Sequence, residues 1–126
     1  MDTLIIEGTP KTPFVRMDAE NGIIEIKGRS IPENSIEFYR VLVDWLEAYA
    51  KDPQPQTQVF LQFEYLNTHT SGKSILAVFN KLEAIHRINQ GVTINWYYDE
   101  EDTLELGQDF ESVLRLPFKM IEVKST

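Results

Sequence analysis

The sequence predicts a single-domain α/β fold in which about three helices pack mainly on one face of a mixed β-sheet. The chain has 126 residues, the length of one ordinary domain. Its apolar content of 42%, which includes seven Phe, five Tyr and two Trp, is enough for one hydrophobic core. After three β-prone segments, strands alternate with amphipathic helices. The predicted order is β-β-β-α-β-α-β-α-β, and residues 1–126 are expected to form one domain.

The first three strands lie in the first quarter of the chain. Residues 3–6 are a short β-prone run, followed by a proline-containing segment that interrupts regular structure. Residues 14–18 and 22–28 are predicted to pair as a hairpin, because the Asn-Gly pair between them tolerates the positive φ of a tight turn. Ile24 and Ile26 are expected to face the core.

The first helix is predicted to open within residues 32–35 and to run to about Lys51. Its apolar residues form two adjacent stripes at helical spacing. The stripes contain Ile36, Tyr39, Val43 and Leu46, and Phe38, Leu42, Trp45 and Tyr49. Together they cover close to half of the helix circumference, so this helix is either deeply seated in its own core or partly turned toward a partner.

Residues 57–66 form the most β-prone segment and are expected to be a central strand. A polar junction follows, and then a helix from about Ser71 to Asn89, ended by Gly91. One face of this helix is expected to be buried. It carries Ile75, Val78, Phe79, Leu82, Ile85 and His86.

The last three elements are a strand, a helix and a strand. The strands are predicted at residues 92–98 and 118–123. The third helix is predicted from Asp99 to about Arg115. Its expected core residues are Leu104, Phe110, Val113 and Leu114.

The composition excludes several classes of function. The chain has no cysteine and only two histidines, which rules out disulfides, thiol nucleophiles and cysteine zinc sites. A net charge of −8 argues against a nucleic-acid partner. No apolar run approaches the roughly 20 residues of a membrane span, and the first residues lack the pattern of a signal peptide. We therefore expect a soluble, cytoplasmic protein with a protein partner, no cofactor and no membrane association.

The junction at Asn67–Ser74 has two interpretations. Gly72-Lys73-Ser74 matches the end of the phosphate-binding loop G-x-x-x-x-G-K-[ST], although Asn67 stands where that loop has its first glycine. A small nucleotide- or metabolite-binding protein that uses this loop is therefore one alternative. For the function of the chain as a whole, a constitutive scaffold without any switch is a further alternative.

The second interpretation takes the junction as an acceptor of phosphate. Thr68 offers a hydroxyl at the exposed end of a core strand and beside a helix N-terminus, where a phosphate would be favoured electrostatically. The following helix is the least acidic part of the chain, with Lys73, Lys81 and Arg87 against Glu83. A plainer role for Thr68 is to cap the helix.

Four segments together resemble a known family. They are Pro32-Glu33-Asn34-Ser35, Tyr65-Leu66-Asn67-Thr68, Trp96-Tyr97-Tyr98-Asp99 and Pro117-Phe118. In this order and spacing they resemble the SiaC family of bacterial regulatory phosphoproteins, over nearly the whole chain. The resemblance implies a fold similar to STAS-type anti-sigma-factor antagonists, no enzymatic activity, and a switch operated by reversible phosphorylation.

The resemblance also implies partners and a modified residue. A SiaB-type kinase would phosphorylate Thr68, and a SiaA-type PP2C-like phosphatase would remove the phosphate. The unmodified form would bind and activate a SiaD-type diguanylate cyclase, which links the switch to cyclic-di-GMP and biofilm formation. This sequence has His69 where the family has a serine. Thr70 and Ser71 are candidate secondary acceptors, and the candidate partner contacts are Asn67, His69, Lys73 and Leu76.

Other constellations predict no catalysis. Seven acids and no base lie within residues 99–111; they are interpreted as a solvated helix start, with a basic-partner surface or a metal site as alternatives. His86 lies on an apolar helix face, and His69 could be a base or a phosphoacceptor, but no spacing supplies the third member of a triad. We therefore predict a non-enzymatic protein without a metal site.

Overall fold

The computed structural model describes residues 1–31 and 35–124, without the side chains of residues 68–70. The predicted element order is confirmed within these residues. The strands are β1 Leu4–Ile6, β2 Phe14–Asp18, β3 Ile23–Ser30, β4 Thr57–Leu66, β5 Val92–Tyr98 and β6 Phe118–Glu122. The helices are α1 Ser35–Tyr49, α2 Thr68–Asn89 and α3 Glu101–Val113. The predicted opening of the first helix at residues 32–34 lies outside the described residues.

The six strands form one mixed sheet in sequence order, β1-β2-β3-β4-β5-β6. The first three strands pair antiparallel, whereas β3, β4, β5 and β6 pair parallel. Each parallel pair is joined through one helix, and all three crossovers advance in the same direction along the sheet. Because such crossovers are right-handed, the three helices lie on one face, as predicted. β4 is central, between β3 and β5.

The turn between β2 and β3 shows why Gly22 is needed. Gly22 has φ of 64°, in the left-handed region that favours glycine. Asp18 closes the turn, because its two carboxylate oxygens accept hydrogen bonds from the backbone N–H and the side-chain amide of Asn21, at 3.2 and 2.8 Å. Ile24 and Ile26 on β3 are buried, as predicted.

Helix α1 turns a narrower face to the core than its sequence pattern predicts. Tyr39, Leu42, Leu46 and Tyr49 are buried, but Ile36 is 65% exposed. The leading apolar residue of α1 therefore faces solvent, although Phe38 in the same turn packs against the core. Most of the predicted apolar arc of α1 is therefore in the core, and its N-terminal end is exposed.

Helix α2 begins three residues earlier than predicted, at Thr68 instead of Ser71. The predicted buried face is confirmed, since its five aliphatic and aromatic residues, Ile75, Val78, Phe79, Leu82 and Ile85, are all buried. His86 is half-buried, and its Nδ1 accepts a hydrogen bond from the backbone N–H of Val92 at 3.2 Å. This hydrogen bond joins the end of α2 to the start of β5.

Helix α3 differs most from its prediction. Val113 is 69% exposed, so its assignment to the core is wrong. The buried residue of the helix is Gly107, where an added Cβ would lie 2.5 to 2.7 Å from the indole ring of Trp96. The same indole donates a hydrogen bond from Nε1 to the backbone oxygen of Thr103 at 3.0 Å. A residue without a side chain therefore lets α3 approach the sheet.

Candidate functional site

The junction between β4 and α2 is a single residue. β4 ends at Leu66 and α2 begins at Thr68. Asn67 donates its backbone N–H to the carbonyl oxygen of Ser30 at 3.1 Å, and its own carbonyl oxygen accepts from the N–H of Ser71 at 2.8 Å. The second bond closes the first turn of α2. Thr68 is thus the first residue of a helix that starts at the carboxyl end of a central strand.

This geometry contradicts the phosphate-loop interpretation of Asn67–Ser74. A phosphate-binding loop needs several residues of non-helical backbone that wrap around the anion. Here Gly72, Lys73 and Ser74 lie in the second turn of α2. The match to the motif is in sequence only, because its glycine and lysine are part of a regular helix.

The start of α2 favours an anion. The first turn of α2 contains no acidic residue. The N–H groups at a helix N-terminus carry a partial positive charge that stabilises a nearby negative charge by roughly 0.3–2 kcal/mol. A phosphate on the first helical residue would therefore be compatible with the fold.

The predicted site residues differ in their surroundings. The side chains of Thr68, His69 and Thr70 lie outside the described part of the structure. Ser71 is 0% exposed, so its hydroxyl is not accessible to a kinase, contrary to its prediction as a secondary acceptor. This correction follows from the early start of α2, which turns position 71 toward the sheet.

The predicted contact residues whose side chains are described differ in exposure. Lys73 is exposed and lies beside α1, whereas Leu76 is half-buried and packs against the hydrophobic core. Asn67 is half-buried at the junction itself. Lys73 is thus the predicted residue most open to a partner among those whose side chains are described.

A groove between α1 and α2 adjoins Lys73. It encloses about 370 Å³. Its lining combines apolar residues with three charged ones: Ile36, Tyr39, Arg40, Val43, Asp44, Lys73, Ser74 and Ala77. Within the described residues, neither Arg40 nor Lys73 forms an ion pair. The exposed side chain of Ile36 lies at this groove, so the exposed end of the apolar stripe on α1 is part of the groove wall.

A second groove lies between the end of β4 and α3 and encloses about 380 Å³. It is acidic and contains no base. Its lining is Glu64, Tyr65, Leu66, Glu100, Asp102, Thr103, Glu105, Leu106 and Asp109. Most acids of the predicted cluster are therefore at one surface. No group of three or more acids or histidines in the described residues could hold a metal ion.

Tyr65 is an exposed aromatic residue that the sequence pattern does not predict. It is 51% exposed, and the guanidinium of Arg29 lies 5.9 Å from its ring centroid. The pairing of β3 with β4 shifts between Gly28 and Arg29, so that Glu64 is left without a partner residue. This bulge reverses the alternation of inward and outward side chains. Tyr65 consequently faces solvent, three residues before Thr68, and Leu66 faces the core.

A cluster of buried hydroxyls lies under the first turn of α2. The Ser30 hydroxyl bonds to the hydroxyl of Tyr39 and donates to the Ser71 hydroxyl at 3.1 Å. The Ser71 hydroxyl in turn donates to the carbonyl oxygen of Ser30 at 3.4 Å. Burial raises the pKa of Tyr39 from 10.0 to about 12, so this phenol stays protonated at neutral pH.

Comparison with known proteins identifies the family. A model of the SiaC family of regulatory phosphoproteins matches residues 6–123. An uncharacterised protein of Pseudomonas aeruginosa strain UCBPP-PA14 is 34% identical over 120 residues, which are 94% of each chain. The chain belongs to the SiaC family. The predicted resemblance is therefore confirmed, and the SiaC family is one of regulatory phosphoproteins and not of enzymes.

Solved structures of SiaC from Pseudomonas aeruginosa have the same fold. The apo form is 32% identical and superposes with a TM-score of 0.87, covering 96% of this chain and 99% of that one. A second SiaC structure comes from the complex of the diguanylate cyclase SiaD with its activator SiaC. It is 32% identical with a TM-score of 0.87, covering 95% of this chain and 99% of that one. The predicted fold class is confirmed.

None of the helices in the described residues combines the length and the apolar character needed to cross a membrane. The longest of them, α2, has 22 residues and carries the charges of Lys73, Lys81, Glu83 and Arg87.

Proposed function

We propose that this protein is a cytoplasmic phosphoswitch that binds and activates a SiaD-type diguanylate cyclase when Thr68 is unmodified, with residues 1–126 acting as one regulatory domain. The observation that carries the proposal is the match in fold and sequence to SiaC, whose complex with SiaD is known by structure. A SiaB-type kinase would add the phosphate and a SiaA-type PP2C-like phosphatase would remove it, as the family resemblance implies. The output would be control of cyclic-di-GMP and of biofilm formation.

The position of Thr68 supports its role as the acceptor. It is the first residue of α2, next to a half-buried Asn67 and near the exposed residues Tyr65 and Lys73. A modification at this position adds charge where the helix N-terminus stabilises it. The helix can therefore tolerate the phosphate without losing its first turn.

Phosphate at Thr68 would weaken docking for electrostatic reasons. A phosphothreonine carries about −1.5 to −2 charges at neutral pH. A partner that covers the start of α2 must either remove water from that charge, which costs free energy, or place its own negative charge beside it, which is repulsive. A loss of about 1.4 kcal/mol of binding free energy is enough for a tenfold loss of affinity. The same groups that bind the unmodified surface thus reject the modified one without a change of fold.

Titration of a SiaD-type cyclase with Thr68 variants tests the switch. We expect Thr68→Ala to bind and activate the cyclase, and Thr68→Asp and phosphorylated wild type to bind at least about tenfold more weakly. Thr3→Asp is the matched control, since it adds the same charge at an exposed residue ahead of β1. Equal affinity for Thr68→Ala, Thr68→Asp and the phosphoprotein would instead identify a constitutive scaffold.

Intact mass before and after phosphatase treatment identifies the acceptor. One phosphate adds about 80 Da, and we expect this addition on wild type and not on Thr68→Ala. A residual addition on Thr68→Ala would assign part of the phosphate to another residue, with Thr70 the predicted secondary acceptor. Because Ser71 is buried, we expect peptide mapping of the wild-type phosphoprotein to place no phosphate on Ser71.

The nucleotide-binding alternative makes a separate prediction. If α2 held a nucleotide phosphate, MgATP or MgGTP would bind saturably and Lys73→Ala would weaken that binding. We expect no saturable binding, because Lys73 lies within the second turn of a regular helix.

A further inference from the structure

The carbonyl oxygen of Ser30 accepts hydrogen bonds from both ends of the turn that contains Thr68. It accepts the backbone N–H of Asn67 at 3.1 Å and the side-chain hydroxyl of Ser71 at 3.4 Å. Asn67 and Ser71 are also joined to each other by the first hydrogen bond of α2, at 2.8 Å. One residue at the end of β3 thus holds the first turn of α2 before and after the phosphoacceptor.

The hydrogen bonds among the hydroxyls of Ser30, Tyr39 and Ser71 form one chain of donors and acceptors. The Ser30 hydroxyl has a single proton, which it donates to the Ser71 hydroxyl, and Ser71 donates its proton to the Ser30 carbonyl oxygen. The bond between Ser30 and Tyr39 must therefore be donated by Tyr39. Each of the three hydroxyls donates once, and each is buried.

The cluster also joins the first turn of α2 to the groove between α1 and α2. Tyr39 belongs to α1, and it lines this groove together with Ser74 of α2. The hydroxyl of Ser74 donates to that of Ser35 at 3.4 Å, which adds a second link between the two helices at the same end. The surface next to Thr68 and the wall of the groove are therefore held by one set of hydrogen bonds.

We propose that Ser30, Tyr39 and Ser71 are positioning residues that hold the turn from Asn67 to Ser71 in the single placement used by both the kinase and the cyclase. Their effect on those partners rests on the proposed function of Thr68. Their effect on the turn itself does not. Because all three side chains are buried, they act on partners only through the position of the turn and of the groove wall.

The chain contains a matched control at the opposite end of α1. Tyr49 is also buried, and its hydroxyl bonds to that of Thr57 at 2.7 Å. Tyr39 and Tyr49 are ten residues apart on one helix, which is about 15 Å along its axis. Tyr39→Phe and Tyr49→Phe thus each remove one buried tyrosine hydroxyl from α1. The first hydroxyl lies near Thr68, and the second lies far from it.

Amide hydrogen exchange of the unmodified protein is the first test. We expect Tyr39→Phe and Ser71→Ala to speed exchange at residues 71–75 at least about tenfold relative to the last turns of α2. Tyr49→Phe should leave that ratio unchanged. If Tyr39→Phe fails to fold, Ser71→Ala provides the same test. Equal ratios in Tyr39→Phe, Tyr49→Phe and wild type would overturn the inference.

Binding to a SiaD-type cyclase and the rate of phosphorylation by the kinase are the second test, with Thr68→Asp measured alongside. We expect Tyr39→Phe to weaken cyclase binding and slow phosphorylation at least about threefold, and Tyr49→Phe to do neither. If Thr68→Asp weakens binding but Tyr39→Phe does not, the positioning role is wrong and the switch stands. If Thr68→Asp has no effect, the proposed function is wrong, and the exchange ratios alone decide whether the cluster holds the turn.

Discussion

At the scale of single residues, Gly107 shows how a missing side chain determines packing. Alanine is a better helix former than glycine by about 1 kcal/mol, so propensity alone favours Gly107→Ala. However, the added Cβ would lie 2.5 to 2.7 Å from the indole of Trp96, which is fully buried and hydrogen-bonded to Thr103. The indole has little room to move, so the steric contact outweighs the gain in helix propensity and makes Gly107→Ala destabilising.

We therefore expect Gly107→Ala to lower the free energy of unfolding by about 1–3 kcal/mol in urea titration. The control is Gln108→Ala, at the exposed neighbouring position of the same helix, which should change stability little. A more stable Gly107→Ala protein would show that α3 shifts outward at low cost and that Gly107 does not set the distance between helix and sheet.

Tyr39 makes a prediction about alkaline pH. Its pKa is 10.0 when unfolded and about 12 in the fold, because burial disfavours the phenolate. The stabilisation is complete below pH 10. It decreases between pH 10 and 12, since only the unfolded chain loses the proton there, and the loss amounts to about 2 kcal/mol. We expect the stability advantage of wild type over Tyr39→Phe, measured by urea unfolding, to shrink by about this amount between pH 9 and pH 12. An advantage that stays constant would show that Tyr39 ionises normally.

At the scale of elements, Glu83 ties α2 to the segment after α3. Its Oε2 accepts the backbone N–H of Arg115 at 2.6 Å, and its Oε1 accepts from Arg87 at 2.9 Å. The Glu83 side chain is only 14% exposed. These contacts, first the backbone N–H of Arg115 and then Arg87, lower the pKa of Glu83 below its ordinary value.

We expect Glu83→Gln to lower the free energy of unfolding at pH 7 by roughly 1 kcal/mol. Because the folded-state pKa is depressed, the carboxylate stabilises the fold above its ordinary pKa of 4.5, and this contribution is lost as the pH falls through the lowered value. The difference between wild type and Glu83→Gln should therefore disappear in acid. Glu47→Gln is the control, because the Glu47–Lys81 pair is exposed and should contribute little. An equal loss in both variants would contradict a specific role for the Arg115 contact.

Element positions were predictable where one periodicity runs through the segment, and not where it changes. The buried face of α2 and the inward residues of β3 follow from spacing alone. On β4 the bulge at Glu64 reverses the alternation, so Tyr65 is exposed although a strict period of two directs it inward. A bulge depends on how β4 pairs with β3, and a single strand's sequence does not contain that pairing.

At the scale of the whole molecule, the proposed switch does not require refolding. Thr68 begins a helix, where a phosphate would be electrostatically favoured, and the hydroxyl cluster below it is buried. We expect the phosphorylated and unmodified proteins to melt within about 5 °C of each other in calorimetry. Their α2 amides should also exchange at similar rates beyond the first turn. A much larger fall in melting temperature would mean that phosphorylation acts by unfolding the start of α2 and not by changing the charge of a surface.

The sequence by itself determined the order of elements, most of the buried faces and the acidic character of the chain. These properties depend on local spacing or on composition, so they can be inferred from the sequence without knowledge of the tertiary structure. Only the tertiary structure decided that α2 starts at Thr68, that Ser71 is buried, that Tyr65 is exposed and that Gly107 contacts Trp96. Each of these depends on a contact with another element, as between Ser30 and Ser71, which are 41 residues apart. Such contacts exist only after the sheet has set the register of its strands and the helices have docked on it.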